Sequence, residues 1–269
     1  MTIDDLQKAN EETRSVWDAN AAFWDEKMGE GNDFVNTLQW PAILRLLDPK
    51  PGQHILDIAT GNGLTARRLA ALGAQVAAFD FSGELIKLAQ KKPNPETRIA
   101  YSVLDATDES ALLALGSRTF DAALCNMALF DMANIEPLFR SLPKILKVGG
   151  AFVFTLTHPA FNNASCVHVA EEIDDQGEIK LTYSVKISRY ITPLHTHGLA
   201  IRGQPKAQLY FERPLQDYFN LGFQNGFFVD GFEERCFPPG MPQKNPLSWG
   251  GNFSEIPPVL VVRLRSGGG

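Results

Sequence analysis

This sequence lacks the features that are typical of secreted, membrane-spanning and disulfide-stabilised proteins. It has only three cysteines, Cys125, Cys166 and Cys236, and their wide spacing forms neither a disulfide framework nor a CxxC metal knuckle. No apolar run approaches the roughly 18 residues that span a bilayer, and the first residues, MTIDDLQKAN, lack a basic segment followed by an apolar one. We therefore expect reduced thiols and a cytoplasmic protein with no membrane partner.

Clustered cations are missing as well. The formal net charge is −6 at pH 7, and the chain has no Lys/Arg-rich run of the kind that binds a phosphate backbone. This charge pattern argues against nucleic acid as a partner. A chain of 269 residues with 44% hydrophobic residues is, however, long enough and apolar enough to bury a large core.

Apolar strands alternate with helical segments along much of the chain. The pattern predicts strands at 53–59, 75–80, 98–105, 120–126 and 151–158, with helices at 64–72, 83–91, near 108–115 and within 134–147. Such alternation predicts parallel strands joined by crossovers, which is a doubly wound α/β sheet. Two further strands near the end have no helix between them, so we expect them to pair antiparallel at one edge and to complete a seven-stranded sheet.

The remaining segments differ in pattern from this alternation. Short helices are predicted within 12–28 and 34–47, and the alternating residues of 179–187 indicate a half-exposed antiparallel strand. We expect one domain over residues 1–266, divided into N-terminal lid helices (1–47), a ligand-binding α/β core (48–158), an inserted β-rich cap (159–213) and a segment that completes the sheet (214–266).

The glycine turn after the first strand indicates the ligand. Residues 61–66, GNGLTA, satisfy the dinucleotide fingerprint G-x-G-x-x-[G/A], and Asp80 lies where a ribose-binding carboxylate belongs. Asp57 argues against a dinucleotide, because a carboxylate at the end of the first strand is expected to face the crevice and to repel a pyrophosphate. S-adenosylmethionine carries an ammonium and a sulfonium group and no phosphate, so it fits an acidic site better.

At this point the sequence resembles the class I S-adenosylmethionine-dependent methyltransferases. The segment Asp57-x-Ala59-x-Gly61-x-Gly63 is similar to the family motif [D/E]-x-G-x-G-x-G, with alanine in place of the first glycine. FDAALCNMALFDM resembles the fourth-strand motif, and LPKILKVGGAFVFT is similar to the turn into the fifth strand, with Val148 in place of the usual proline. The resemblance covers roughly residues 40 to 160 well and 210 to 265 more loosely.

The resemblance implies a role for each matching residue. Asp80 would bind the ribose hydroxyls, Phe81 would cover one adenine face, and Asp105 would accept from the adenine amino group. The full set of expected cofactor-binding residues is Trp17, Asp57, Ala59, Gly61, Gly63, Asp80, Phe81, Asp105, Ala106, Asn126 and Met127. Trp17 is included in this set because N-terminal helices fold over the cofactor in related methyltransferases. We expect Trp17 to cover the methionine end of the cofactor.

Each of these residues also has a structural interpretation. Asp80 and Asp105 could cap the helices that follow them, although Ser82 is an equally good cap for the first. Phe81 and Met127 could face the core, and Trp17 with Trp24 could form a packing stripe on one helix.

Methyl transfer requires few catalytic groups, because the protein mainly aligns a nucleophile, excludes water and removes a proton. The candidate bases are His158 at the end of the fifth strand and Tyr190, His195 and His197 in the insertion, with His158 the best placed of them. A zinc site built from His195, His197, Cys166 and His168 is a weaker alternative, and no metal is expected. Aromatic residues of the insertion, with Met127 and Phe130, could wall an acceptor pocket.

The sequence thus predicts an S-adenosylmethionine-dependent methyltransferase that acts on an oxygen or nitrogen atom of a small-molecule acceptor. Two alternatives stay open at this point. One is an NAD(P)-dependent oxidoreductase that uses the glycine turn, and the other is a protein that binds S-adenosylmethionine without transferring its methyl group. The sequence does not indicate the oligomeric state.

Overall fold

The central sheet contains seven strands, of which six run in the same direction and one, near one edge, runs in the opposite direction. The computed structural model describes residues 2–267, and its sheet strands are β1 (His54–Ile58), β2 (Gln75–Asp80), β3 (Ile99–Val103), β4 (Phe120–Asn126), β5 (Leu146–Thr157), β10 (Phe227–Arg235) and β11 (Val259–Ser266). Their order is β10-β11-β5-β4-β1-β2-β3, and β11 runs antiparallel to both of its neighbours. The predicted seven-stranded doubly wound sheet is therefore confirmed.

Helices cover both faces of this sheet. They are α1 (Ile3–Met28), α2 (Trp40–Leu47), α3 (Leu64–Ala71), α4 (Gly83–Gln90), α5 (Glu109–Leu113), α6 (Glu136–Ile145) and α7 (Leu215–Gln224), with a π-helical segment at Phe34–Gln39 and 3₁₀ turns at Pro95–Thr97, Leu129–Asp131 and Gly251–Phe253. Successive residues of β1 point to opposite cores: Ile55 packs with α2 and α3, and Leu56 packs with α5 and α6. Burial on both faces explains why these strands read as continuous apolar runs.

The N-terminal segment forms one long helix instead of several short ones. Helix α1 begins at Ile3 because Thr2 and Asp5 form a capping box: the Thr2 Oγ1 atom accepts from the Asp5 backbone N–H at 3.2 Å, and Asp5 Oδ2 accepts from the Thr2 backbone N–H at 2.8 Å. The helix crosses the carboxyl ends of the strands. Its Asn20 side chain bonds both the backbone N–H and the carbonyl of Lys206, which ties the helix to the insertion.

The insertion contains two antiparallel pairs, β6 (Cys166–Asp175) with β7 (Glu178–Ile187) and β8 (Leu194–Gly198) with β9 (Gln208–Glu212). The first pair is an exposed hairpin, and the second packs against the main body. Arg213 holds the end of β9 in place, since its guanidinium donates to the carbonyls of Leu129, Phe211, Met132 and Ala133. Within residues 2–267, no helix is both long and apolar enough to cross a membrane.

Candidate functional site

A cavity of about 620 Å³ lies at the carboxyl ends of the parallel strands. Its floor is formed by the segments that follow β1, β2, β3 and β4, its roof by α1, and its far wall by β8 and β9. The parallel sheet dictates this location, because all its strands end at the same edge and the crossovers leave a crevice there. Of the expected cofactor-binding residues, all but Asp57 and Gly63 line the cavity.

The glycine turn after β1 is left-handed at three alternate positions. Ala59, Gly61 and Gly63 have φ values of +53°, +57° and +75°. The alanine at the first position is therefore a larger departure from the family motif than the sequence suggested, since a left-handed L-residue costs roughly 1–2 kcal/mol. The turn is connected to α1, because Asn62 Nδ2 donates to Asp25 Oδ1 at 2.9 Å.

The position of Asp57 corrects one step of the sequence argument. Its carboxyl group lies beneath the glycine turn and not in the cavity, with Oδ2 accepting from the hydroxyls of Thr60 at 2.6 Å and Thr65 at 3.0 Å. Burial raises the pKa of Asp57 to about 6. The threonines that follow it in the sequence satisfy Oδ2, while Oδ1 is buried without a hydrogen-bond partner among the described residues. Asp57 therefore orders the turn and does not line the cavity.

Replacing Asp57 with asparagine is expected to stabilise the free protein by about 2 kcal/mol at pH 7.5, because the amide oxygen still accepts from both threonines while the buried charge is removed. The folded-state pKa of Asp57, about 6, lies above the ordinary aspartate value of 3.8, so the unfolded chain loses its proton at lower pH than the folded protein does. The contribution of Asp57 to the free energy of unfolding therefore falls as the pH rises from about 4 to 6. Urea unfolding at several pH values checks this, and a gain that is as large at pH 4 as at pH 7.5 would contradict it.

Asp80 lies in the cavity at the end of β2. Its Oδ2 atom accepts from the Gly61 backbone N–H and its Oδ1 atom from the Ser82 backbone N–H, both at 2.9 Å. Burial raises the pKa of Asp80 to about 6. The helix that follows is capped by Ser82, whose hydroxyl accepts from the Leu85 backbone N–H, so capping does not account for Asp80.

Asp105 also lines the cavity, where α1 supplies its partners. Its Oδ2 atom accepts from Asn10 at 2.6 Å and from Arg14 at 2.7 Å, and its Oδ1 atom accepts from the Thr107 backbone N–H. The Arg14 guanidinium also lies 5.9 Å from the centre of the Phe81 ring. Asp108, not Asp105, caps the next helix, so the capping interpretation does not hold for Asp105 either.

The cavity floor below these carboxylates is formed by the end of β4. Asn126 Oδ1 accepts from the Thr155 hydroxyl at 2.6 Å, and the Met127 backbone N–H donates to the same Thr155 oxygen at 2.9 Å. Met127 adopts φ +56°, so the chain turns sharply there and its side chain lines the cavity. Ala106 lies in the lining on the Asp105 side.

Two tryptophans of α1 line the roof of the cavity. The rings of Trp17 and Trp24 meet edge to face with centroids 4.9 Å apart, and Trp17 packs with Ala21 and Leu85. The packing interpretation and the proximity to the cavity thus both hold for Trp17. Its role in binding the cofactor stays a prediction.

Three of the four candidate bases, His158, Tyr190 and His195, lie outside the lining of this cavity, whereas the fourth, His197, lines it. His158 is 1% exposed, and its Nε2 atom pairs with Glu234 Oε1 at 2.9 Å while the ring packs on Phe161. The exposed His195 packs against Phe211, and the Tyr190 hydroxyl accepts from the Leu215 backbone N–H in a smaller adjoining cleft. These three residues were chosen because they lie at a strand end or in the cap, but their side chains point away from the cavity.

Sequence reasoning missed the polar groups that do reach the acceptor side. Asp131, Gln208 and Glu212 were not expected, and they line the cavity together with Tyr210, which was expected only as an aromatic wall. A period-2 signal was available in QLYFE, since residues 208, 210 and 212 of β9 face the cavity and the alternate residues Leu209 and Phe211 face the core. Among residues 2–267 no cluster of three or more His, Cys, Asp or Glu side chains could hold a metal ion.

The charge of the lining distinguishes between the two candidate ligands. No lysine or arginine side chain among the described residues lines the cavity, whereas the carboxyl groups of Asp80, Asp105, Asp131 and Glu212 do. Arg14 lies next to the lining but is already paired with Asp105, so a dinucleotide pyrophosphate would find no free cationic side chain in the lining and several acidic ones. A ligand with sulfonium and ammonium groups fits this lining, so the residues present fit S-adenosylmethionine.

The strand order, the glycine turn and the acidic residue that ends the second strand together define the class I S-adenosylmethionine-dependent methyltransferase fold. Residues 56–154 match the family described as "Methyltransferase domain". Residues 56–154 therefore form part of a methyltransferase domain, and the predicted resemblance to this family and the predicted cofactor, S-adenosylmethionine, are confirmed.

Individual proteins agree with this assignment. The demethylmenaquinone methyltransferase of Clavibacter sepedonicus is 30% identical over 152 residues, which is 55% of this chain and 59% of that protein. A ubiquinone biosynthesis O-methyltransferase of Xanthomonas campestris pv. campestris is 34% identical over 125 residues, covering 46% of this chain and 51% of the relative. This chain thus spans between half and three fifths of the length of these curated relatives.

Solved structures extend the similarity beyond the matched segment. The crystal structure of an S-adenosylmethionine-dependent methyltransferase from Mesorhizobium loti has a TM-score of 0.65 and 25% sequence identity, covering 86% of this chain and 98% of that one. The likeness thus includes regions on both sides of residues 56–154.

Proposed function

We propose that this chain transfers a methyl group from S-adenosylmethionine to an oxygen or nitrogen atom of a small aromatic acceptor. The observation that carries the proposal is that one continuous cavity joins the acidic, glycine-lined side at Gly61 and Asp80 to an aromatic side at Phe130 and Tyr210. A methyl donor and an acceptor must meet in such a space, with water excluded from the reacting atoms.

The acceptor class is supported by the relatives and by the far wall of the cavity. The two curated relatives are named for demethylmenaquinone methylation and for ubiquinone biosynthesis, which supports an acceptor with an oxygen-bearing ring. The rings of Phe130 and Tyr210 lie 5.7 Å apart, centre to centre, and both line the cavity. Flat aromatic side chains of this kind favour a flat acceptor.

The chemistry can be assigned to residues without a metal. The bound cofactor would supply an electrophilic methyl carbon, with S-adenosylhomocysteine as the leaving group when the acceptor atom bonds that carbon. Glu212 and His197 line the cavity and can take up the proton that the acceptor loses. Burial raises the pKa of the Glu212 carboxyl, which brings it closer to the working pH of a general base. Helix α1 contributes Asn10, Trp17 and Trp24 to the roof of the cavity.

Calorimetric titration and product analysis test this proposal together. We expect S-adenosylmethionine and S-adenosylhomocysteine to bind, NAD and NADP not to bind, and mass spectrometry to detect methylated products from a panel of hydroxylated aromatic rings and aromatic amines. Binding of a dinucleotide in place of S-adenosylmethionine would refute the proposal. Intact cofactor binding with no methylated product across oxygen, nitrogen, sulfur and carbon acceptors would instead favour a role without methyl transfer.

Trp17 gives a test of the lid. Replacing Trp17 with alanine is expected to weaken S-adenosylhomocysteine binding about tenfold, since it removes an aromatic contact of the roof. Trp40 provides the matched control, because it is partly buried in the core next to α3 and does not line the cavity. Trp40→Ala should lower stability and leave the affinity unchanged. Unchanged affinity in Trp17→Ala would remove this residue from the site.

A further inference from the structure

The acceptor side of the cavity is built by two short segments that the cofactor does not explain. The 3₁₀ turn Leu129–Asp131 supplies Asp131, and strand β9 supplies Gln208, Tyr210 and Glu212 from its cavity-facing positions. Gln208 Nε2 donates to Asp131 Oδ1 at 3.2 Å, and Glu212 Oε1 accepts from the Ala164 backbone N–H at 2.7 Å. These contacts position both carboxyl groups on the acceptor wall.

Each of these groups keeps hydrogen-bonding capacity for a ligand. In the described part of the chain, the Tyr210 hydroxyl has no hydrogen-bond partner, and each carboxyl group uses one oxygen only. Burial raises the pKa of Asp131 and of Tyr210, and the carboxyl groups of Asp131 and Glu212 raise the pKa of Tyr210 further. Tyr210 therefore lies within electrostatic reach of both carboxyl groups, as expected for side chains that line the same cavity.

No cationic side chain balances these carboxyl groups within the cavity, as far as residues 2–267 show. Arg189 and Arg213 line the small adjoining cleft, which Glu212 also lines. Neither arginine forms an ion pair with Glu212 within the described residues, and the Arg213 guanidinium already donates to four backbone carbonyls. An anionic acceptor bound beside Asp131 and Glu212 would have no counter-charge and would face one or two like charges at short range.

We propose, building on the proposed function, that the acceptor is a molecule without a carboxylate or phosphate group, and that it donates a hydroxyl or amine hydrogen to Asp131 and Glu212. The Tyr210 ring and hydroxyl lie beside these carboxyl groups and contact the ring that carries the donor. The acidic wall thus selects an acceptor by charge. It accepts a phenol or an aromatic amine and rejects the same ring when it bears an acid.

A matched pair of ligands tests this selection by binding alone. The pair is 3,4-dihydroxybenzamide and 3,4-dihydroxybenzoate, which have the same ring and hydroxyls and differ in one charge at pH 7.5. Titrated into protein saturated with S-adenosylhomocysteine, the amide should bind about tenfold more tightly than the benzoate or better. In Glu212→Gln the ratio of the two affinities should fall to about threefold or less, because one like charge is removed.

Glu172→Gln is the control for net charge, since Glu172 is exposed on the β6–β7 hairpin and lies outside the cavity lining. This variant should keep the wild-type ratio. The proposal is overturned if the benzoate binds as tightly as the amide, if neither compound binds, or if the ratio stays unchanged in both Glu212→Gln and Asp131→Asn. Failure of S-adenosylhomocysteine to bind would count against the proposed function instead, and the same pair titrated into the free protein would still test the charge selection.

Discussion

Replacing Gly63 with alanine is expected to lower the free energy of unfolding by about 3 kcal/mol, which is among the largest effects of any single methyl group in this chain. Two causes act together. Gly63 adopts φ +75°, a conformation that costs an L-residue energy, and an added Cβ would overlap the hydroxyl of Tyr101 and lie 3.0 Å from two of its ring carbons. The Tyr101 hydroxyl is buried, so the ring has little room to move away. Urea unfolding followed by circular dichroism measures the loss.

Gly61 provides the control for backbone strain alone. It adopts a similar φ of +57°, but the nearest atom to an added Cβ is Trp24 Nε1 at 4.0 Å. Gly61→Ala should therefore cost only about 1 kcal/mol of stability, while an added methyl group on the cavity side weakens cofactor binding. Removing the Tyr101 hydroxyl in the double variant Gly63→Ala, Tyr101→Phe should recover part of the stability that Gly63→Ala loses. Equal losses at Gly61 and Gly63 would show that steric overlap contributes nothing.

The strands of the sheet were predictable because their sequence signal is local. Strands β2 and β4 begin and end where the apolar runs do, and β1 and β3 differ from prediction by one or two residues at each end. The segment KVGG was predicted as a turn and is found as a bulge in β5, where Leu146 pairs with Phe120 and Ala151 pairs with Ala122. A pattern of apolar residues does not distinguish a turn from a bulge, because glycines are common in both.

The first helix could not be bounded from its apolar pattern. Residues 3 to 11 carry little apolar periodicity, so the helix was expected to start later than Ile3. What starts it is the reciprocal capping box of Thr2 and Asp5, and what holds it is tertiary contact with the insertion through Asn20. Tertiary packing of this kind stabilises a helix whose own sequence has only a weak amphipathic signal.

The side-chain directions at the site were harder to predict than the positions. His158 follows a strand end, as a ligand-binding residue does, yet its ring turns toward Glu234 on β10 and away from the cavity. Asp57 was expected to face the ligand, but its carboxylate accepts hydrogen bonds from the Thr60 and Thr65 hydroxyls beneath the glycine turn. The conclusion that the ligand is not a dinucleotide still holds, but it now rests on the charge of the whole cavity lining. That charge cannot be read from any single residue of the motif.

Replacing Asp80 with asparagine is expected to weaken S-adenosylhomocysteine binding about 100-fold or more. Both carboxyl oxygens of Asp80 accept from backbone N–H groups, of Gly61 and Ser82, and an amide can satisfy only one of them. The variant also removes the charge to which two ribose hydroxyls would donate, and charge-assisted hydrogen bonds are worth about 1.5–3 kcal/mol each. Asp18→Asn is the matched control, since Asp18 bonds the Ser82 hydroxyl from outside the cavity lining, and its affinity should stay close to wild type.

The pH dependence of binding separates this role of Asp80 from a purely structural one. Burial raises the pKa of Asp80 in the free protein to about 6, and a ligand whose hydroxyls donate to the carboxylate binds only the ionised form. Affinity should therefore be constant above pH 7 and fall as the pH drops below about 6, approaching tenfold per pH unit, because protonation competes with the ligand. Asp80→Asn should bind weakly at every pH and show a flatter profile over this range. A wild-type affinity that is unchanged from pH 7.5 to 5 would mean that the ligand does not engage the charged carboxylate, and Asp80 would then serve only to hold the glycine turn and the start of α4.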